Sequence, residues 1–245
     1  NNFQGKLSDR SEASIPKSEI CEFPHKCRNP IIAEIKVHSP KYGNMINRRD
    51  EMDILRIYEN AGAAGISYIT DKEYFNGDFN MFKKICENTE LPVLRKDFIT
   101  TKDEIEKTAE VGGGAILLIA RLLKEETAEF VDYALEHGLD TLVEVHNKEE
   151  IDIAKETNST MIGVNNRDIT KLELDDGTVS LTEHLAPLIP KNMVFVSESG
   201  IGTIEDLRMA LKYADAALIG TSFMKAKNIE EFVKSFVEAK LWTIY

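Results

Sequence analysis

The chain lacks the features that define several large protein classes. No apolar run among its 245 residues approaches the roughly 18 that a membrane-spanning helix needs, and no signal-peptide pattern opens it. Cysteine is scarce: Cys21, Cys27 and Cys86 make an odd count. Cys21, His25 and Cys27 lie close together, but no second ligand pair follows, so no metal centre is expected. Free thiols in a cytoplasmic protein are the expectation instead. Positive charge is in deficit, with 30 basic against 42 acidic residues and a formal net charge of −12. Such a chain repels nucleic acid and anionic membranes, and an anionic ligand needs a local cluster of donors. Linkers, low-complexity tracts and shifts of composition are absent. Residues 1–245 therefore read as one domain, in which the polar residues 1–29 form an N-terminal extension with a short helix around Ser8 to Ala13.

What is present is a repeated module: a short apolar strand, a loop, then an amphipathic helix. Strands are predicted near 31–36, 65–70, 92–96, 115–119, 141–145, 161–165, 193–197 and 216–220. Ile229, Phe232, Val233, Phe236 and Val237 follow the spacing of one helical face. Thr101 with Glu104, and Asn147 with Glu150, have the spacing of helix starts, and Thr203 with Asp206 is a weaker version. Gly62 and Gly138 sit where a helix end wants a left-handed residue. Strands alternating with helices pair in parallel through right-handed crossovers, and eight such units fit a closed (β/α)8 TIM barrel. The rival, an open doubly wound sheet, usually shows a glycine-rich loop after its first strand. KVHSPKYGNM is not such a loop, and SGIGTIE at 199–205 has Glu205 where the third glycine belongs.

The first strand, in IIAEIKVHSPKYG (31–43), turns Ile32, Glu34 and Lys36 to one side, because side chains alternate. In a barrel of this class the active site lies at the C-terminal ends of the strands. Other strands repeat the pattern: Leu94 with Lys96, Leu142 with Glu144, Gly163 with Asn165, Val196 with Glu198. Polar groups thus converge from five strands on one mouth, where burying charge is unfavourable unless it is paired. Arg95 alternates outward and reads as a structural ion pair. His146 is expected to face away from Glu144, in a barrel-to-helix contact. Phe75 and Phe79 suit either a loop near the substrate or core packing, and Trp242 a hydrophobic plug for the last helix.

Barrels often hold phosphate with the loops after strands seven and eight. Here these read ESGIGT (198–203) and IGTS (219–222). Gly200, Gly202 and Gly220 let backbone approach an anion, and Thr203 and Thr221 open helices whose N–H groups point at it. Lys36 and Ser39 would close the cradle from strand one.

The segments IIAEIKVHSP, LPVLRKDFI, GAILLIARLL, LVEVHNKEE, IGVNNRDI, SESGI and ALIGTSFM, in this order, resemble the indole-3-glycerol phosphate synthase family. The resemblance covers nearly the whole chain from about residue 30. It implies a (β/α)8 lyase of tryptophan biosynthesis that needs no cofactor and no metal. Such an enzyme converts 1-(2-carboxyphenylamino)-1-deoxyribulose 5-phosphate into indole-3-glycerol phosphate, losing carbon dioxide and water. Carried over by position, it implies that Lys96 is the general acid, that Glu144 is the acid/base carboxylate, and that Glu34 and Lys36 complete the catalytic set. Asn165, Arg167, Glu198 and Ser199 would bind substrate, and Lys36, Ser39, Gly200, Gly220 and Thr221 the phosphate. Where the family usually has an SPSKG-like loop, this chain has SPKYG, preceded by His38, and whether Lys41 replaces the usual lysine is left open.

The partner implied is a small anionic phosphosugar, with no nucleic acid and no membrane, and protein partners are unspecified. Three other readings remain open at this point. One is another phosphosugar barrel enzyme, such as phosphoribosylanthranilate isomerase or a lysine Schiff-base aldolase. The others are a phosphate-ligand binding protein without turnover and an interaction scaffold.

Overall fold

Short runs rich in Ile, Val, Leu and Ala form eight strands: β1 (Ile31–Ile35), β2 (Gly65–Ile69), β3 (Val93–Lys96), β4 (Ala115–Ile119), β5 (Asp140–Val145), β6 (Met161–Asn165), β7 (Val194–Glu198) and β8 (Ala216–Ile219). The computed structural model describes residues 3–8, 28–167 and 178–241. Each strand pairs in parallel with the next, and β8 returns to β1, so the sheet closes as the TIM barrel expected from the sequence. The register sets the mouth. Glu144 lies level with Ile119 and Gly163, Glu198 with Asn165 and Leu218, and Lys96 with Ile69.

The helices are α1 (Phe3–Ser8), α2 (Glu51–Ala61), α3 (Phe79–Glu87), α4 (Lys102–Glu110), α5 (Ala120–Leu123), α6 (Thr127–Glu136), α7 (Lys148–Lys155), α8 (Ser180–Leu185), α9 (Ile204–Leu211), α10 (Thr221–Lys225) and α11 (Ile229–Val237). Their starts follow the sequence signals. Thr101 and Thr203 form capping boxes with Glu104 and Asp206, and the Asn147 side chain accepts from the Glu150 N–H. Gly62 ends α2 at φ 87°, a left-handed conformation that favours glycine. α11 buries Ile229, Val233, Phe236 and Val237, the face its spacing announces. Between β1 and α2 a small antiparallel hairpin joins His38–Ser39 to Gly43–Asn44. Among the described residues no helix is long and apolar enough to cross a membrane.

Two apolar clusters fill the space between strands and helices, and a third fills the barrel itself. The third explains where the N-terminal helix lies. Phe3 of α1 is fully buried among the inward Ile32, Leu94 and Leu142, and α1 precedes the stretch around Ser8 to Ala13 where the sequence suggests a helix. Its ring lies against Gly65, and the Gln4 N–H donates to Asp140 Oδ2 at 3.0 Å, both at the start of a strand. Phe3 therefore plugs the floor, opposite the mouth. Residues 9–13 lie outside the described residues, as do Cys21, His25, Cys27 and Trp242. Phe3→Ala should cost about 3–5 kcal/mol in urea unfolding while leaving kcat of the folded protein unchanged.

Candidate active site

At the mouth, four strand ends bring five charged side chains together. Lys96 Nζ lies 2.9 Å from Glu198 Oε2 and 3.5 Å from Glu144 Oε2. Lys36 Nζ lies 3.4 Å from Glu34 Oε1 and donates to Thr221 Oγ1 at 3.1 Å. Glu34, Lys36, Glu144 and Glu198 are all buried. Two glycines make the room. A methyl group on Gly163 would overlap the Glu198 carboxylate, and one on Gly220 the Glu34 carboxylate. Glu198 thus leans from β7 across the bare backbone of β6 toward Lys96 on β3.

Acid outnumbers base at this point, and the titration behaviour follows. Burial alone would lower the Lys96 pKa, but Glu198, Glu144 and Glu34 outweigh it and raise it, so the ammonium stays charged. Burial also raises Glu198; the neighbouring Lys96 opposes this, Glu144 and Glu34 add to it, and the group titrates near 7. The cluster therefore keeps an exchangeable proton at neutral pH.

The cluster faces a cavity of about 950 Å³. One wall is apolar, formed by Ile69, Phe98, Leu117, Ile119 and Leu218; another carries Ser199, Gly200, Gly202, Gly220, Thr221 and Ser222. Ser199 and Gly200 both have positive φ, 65° and 76°. For Ser199 this is a strained conformation, and Asn166 holds it. Asn166 Nδ2 donates to the carbonyls of Glu198 and Ser199 at 2.9 and 3.2 Å, while its Oδ1 accepts from the Thr182 N–H at 3.0 Å.

Most residues singled out in the sequence meet here. Asn165 and Arg167 line the cavity, and Asn165 Oδ1 accepts from the Arg167 N–H at 3.1 Å. Lys41 and Phe75 line it too, with Lys36 Nζ 5.7 Å from the Phe75 ring centre. Ser39 is fully buried and stands apart from this lining, where its hydroxyl accepts from the Tyr42 N–H at 3.3 Å within the hairpin. Phe79 packs on Phe82 and on the Arg95 guanidinium, and so belongs to the core. Arg95 faces outward as expected, donating to Thr70, Thr108 and Asp97. His146 is a correction. It does make the expected helix contact, with Glu150 of α7, but its other ring nitrogen lies 3.4 Å from Glu144. Residues two apart on a strand share a side, so His146 follows Glu144 rather than opposing it. Sequence reasoning also missed Tyr42, Lys225 and Asn228 in the lining, which come from the hairpin and the α10–α11 corner and show no strand-end pattern.

A closed parallel barrel with a lysine–carboxylate cluster beside a glycine-rich, hydroxyl-lined wall belongs to the class of (β/α)8 enzymes. The comparisons make the assignment particular. A family model described as indole-3-glycerol phosphate synthase matches residues 6–236. The indole-3-glycerol phosphate synthase of Pyrococcus abyssi is 70% identical over 214 residues, 87% of this chain and 93% of that protein. That of Pyrococcus furiosus is 67% identical over 87% of this chain and 94% of its own length. Among solved structures, a tryptophan synthase α-subunit mutant from Pyrococcus furiosus aligns over 86% of this chain and 97% of its own, with a TM-score of 0.61 at 14% identity, a likeness of fold alone. The chain belongs to the indole-3-glycerol phosphate synthase family. It is a carbon–carbon lyase of tryptophan biosynthesis, acting on a small phosphosugar-like substrate.

The raised Glu198 predicts a pH dependence of stability. Its pKa near 7 exceeds the ordinary 4.5, so the stability it lends is complete below pH 4.5 and lost as pH rises through 7. Urea unfolding between pH 4.5 and 8 should show a decline of about 1–3 kcal/mol from this group. Glu198→Gln, which mimics the neutral acid, should flatten it; an unaltered slope would refute the assignment.

Proposed function

We propose that the mouth cluster closes the indole ring of 1-(2-carboxyphenylamino)-1-deoxyribulose 5-phosphate, with Lys96 as general acid and Glu144 as acid/base. The observation that carries this is Lys96 Nζ, held at 2.9 and 3.5 Å from two buried carboxylates and facing an apolar wall. The aromatic carbon bearing the carboxylate attacks the ketose carbonyl, whose oxygen gains charge and takes a proton from Lys96. Carbon dioxide leaves and its bonding electrons restore the ring. The new hydroxyl then departs as water with a proton supplied from the cluster, while a second group removes a proton to give the indole. A lysine that its neighbours hold protonated is a weak acid toward a resting carbonyl. It is a competent one toward the alkoxide that forms during attack.

Glu34 sets the position of Lys36, and Lys36, Ser199, Gly200, Gly220 and Thr221 take the phosphate. Asn165, Arg167 and Glu198 position the remainder, and Ser39 supports the cradle from the hairpin. The apolar wall takes the phenyl ring. The substrate is anionic, and Lys36, Lys96 and Arg167 supply local positive charge within an acidic chain that acts in the cytoplasm, away from nucleic acid and membranes. A Schiff-base aldolase fits less well. Its lysine must be uncharged to attack a carbonyl, and the carboxylates here oppose that.

Indole fluorescence on incubation with the substrate tests the assignment. Lys96→Ala should lower kcat by about 10²–10⁴-fold or more with the fold intact, and retention of most activity would contradict the role. Thr221→Asp places a carboxylate against the phosphate and should raise KM at least about tenfold with a smaller effect on kcat. An unchanged KM would count against the cradle.

A further inference from the structure

Behind Glu144, on the side away from Lys96, a line of polar groups runs outward through the barrel wall, buried except for Arg121 at its outer end. Arg121 of α5 donates from Nε to Glu150 Oε1 at 2.8 Å. Glu150 Oε2 accepts from the His146 backbone N–H at 2.8 Å and lies 3.0 Å from His146 Nδ1. His146 Nε2 lies 3.4 Å from Glu144 Oε1. Neither of these last two buried atoms has a hydrogen-bonding partner among the described residues.

The ring's tautomer follows from its surroundings. Burial alone would raise the Glu150 pKa, but the hydrogen bonds from His146 and Arg121 outweigh it and hold the group at about 2. A permanent carboxylate beside Nδ1 requires the proton to sit on Nδ1. In the neutral ring, Nε2 then presents a lone pair to a carboxyl oxygen. Two facing lone pairs in a buried site repel, whereas one proton between them turns the contact into a hydrogen bond. Nothing in the binding of substrate requires this arrangement. Oε2 of the same carboxylate already faces Lys96 at 3.5 Å.

We propose that His146, oriented by Glu150 and Arg121, is a positioning residue that shares one proton with Glu144 and keeps it available to the reaction. The inference rests on the acid/base reading of Glu144. Every charged group facing the pair has a place in it. Lys96, Glu198 and Glu34 lie on the mouth side of Glu144, and Glu150 with Arg121 on the outer side of His146. The proton that Glu144 accepts in one step rests across Oε1 and Nε2. It leaves through Glu144 in another step, so a turnover returns the pair to its starting state.

His146→Asn is the discriminating variant. Its amide NH2 replaces Nδ1–H toward Glu150 but leaves nothing opposite Glu144 Oε1. Single-turnover rates, which report the chemistry rather than product release, should fall about tenfold at neutral pH, with KM within about twofold of the parent. The high-pH limb of the rate profile should move toward lower pH, because the variant removes one of the two atoms between which the proton is shared. Nitrogen-15 spectra of the unaltered protein, assigned by the resonance that His146→Asn removes, should show His146 protonated at Nδ1 across the pH range. A profile that superimposes on the parent, a lowered profile with no displacement, or an Nε2–H tautomer would each overturn the proposal. Glu144→Gln, measured alongside, separates the two levels. If it abolishes turnover while His146→Asn changes nothing, only this inference fails. If it leaves turnover intact, the acid/base role fails and the inference with it.

Discussion

Three carboxylates face two ammoniums at the mouth, and the rest of the site is arranged around that imbalance. Lys96 pairs most closely with Glu198, next with Glu144, and also feels Glu34. In water such a cluster would disperse. Inside a barrel it persists because four different strands hold its members, and because the surplus charge is relieved by a proton near Glu198. The space for it comes from subtraction. Gly163 and Gly220 lack the atoms that would collide with two of the acids. The closed barrel is what makes such a surplus sustainable, since an open sheet would let its members drift apart.

A layer of outward contacts supports the inward ones. Behind Lys96, the next residue back along β3, Arg95, is fastened to Thr70, Thr108 and Asp97 and stacked on Phe79, which fixes the strand's rotation. Behind Glu34, the Tyr58 hydroxyl of α2 donates to the Glu34 carbonyl at 3.1 Å. Behind Glu198 and Ser199, Asn166 gathers two carbonyls and is itself held by Thr182. These contacts belong to loops and helices, yet their effect is read at the mouth. The floor is separate: Phe3 closes it with apolar area alone, which leaves the two ends of the barrel free to serve stability and chemistry independently.

The strands were legible because each is a short, largely apolar run, and the acids and lysines at the ends of several of them broke that rule visibly. Lys96, Glu34, Glu144 and Glu198 could be placed on one side by alternation alone, and they meet. His146 was misplaced because it lies one residue past the end of β5, where the sense of alternation was misjudged and the contact to Glu150 depends on the course of α7. The position of α1 was not legible, because it is set by Phe3 entering the barrel floor, a contact with residues far away in sequence. Tyr42 and Lys225 meet as a cation over a ring at 4.0 Å, from segments that have no spacing in common.

By itself the sequence determined the module, its repetition and the identity of the groups at each strand end. These depend on interactions between neighbours a few residues apart, where periodicity and capping are local. Only the tertiary structure decided which of those groups touch and which oxygen faces which nitrogen. Those outcomes depend on barrel register and on space left by glycines elsewhere in the chain. A shift of a single ångström between strands would change them without changing any local preference.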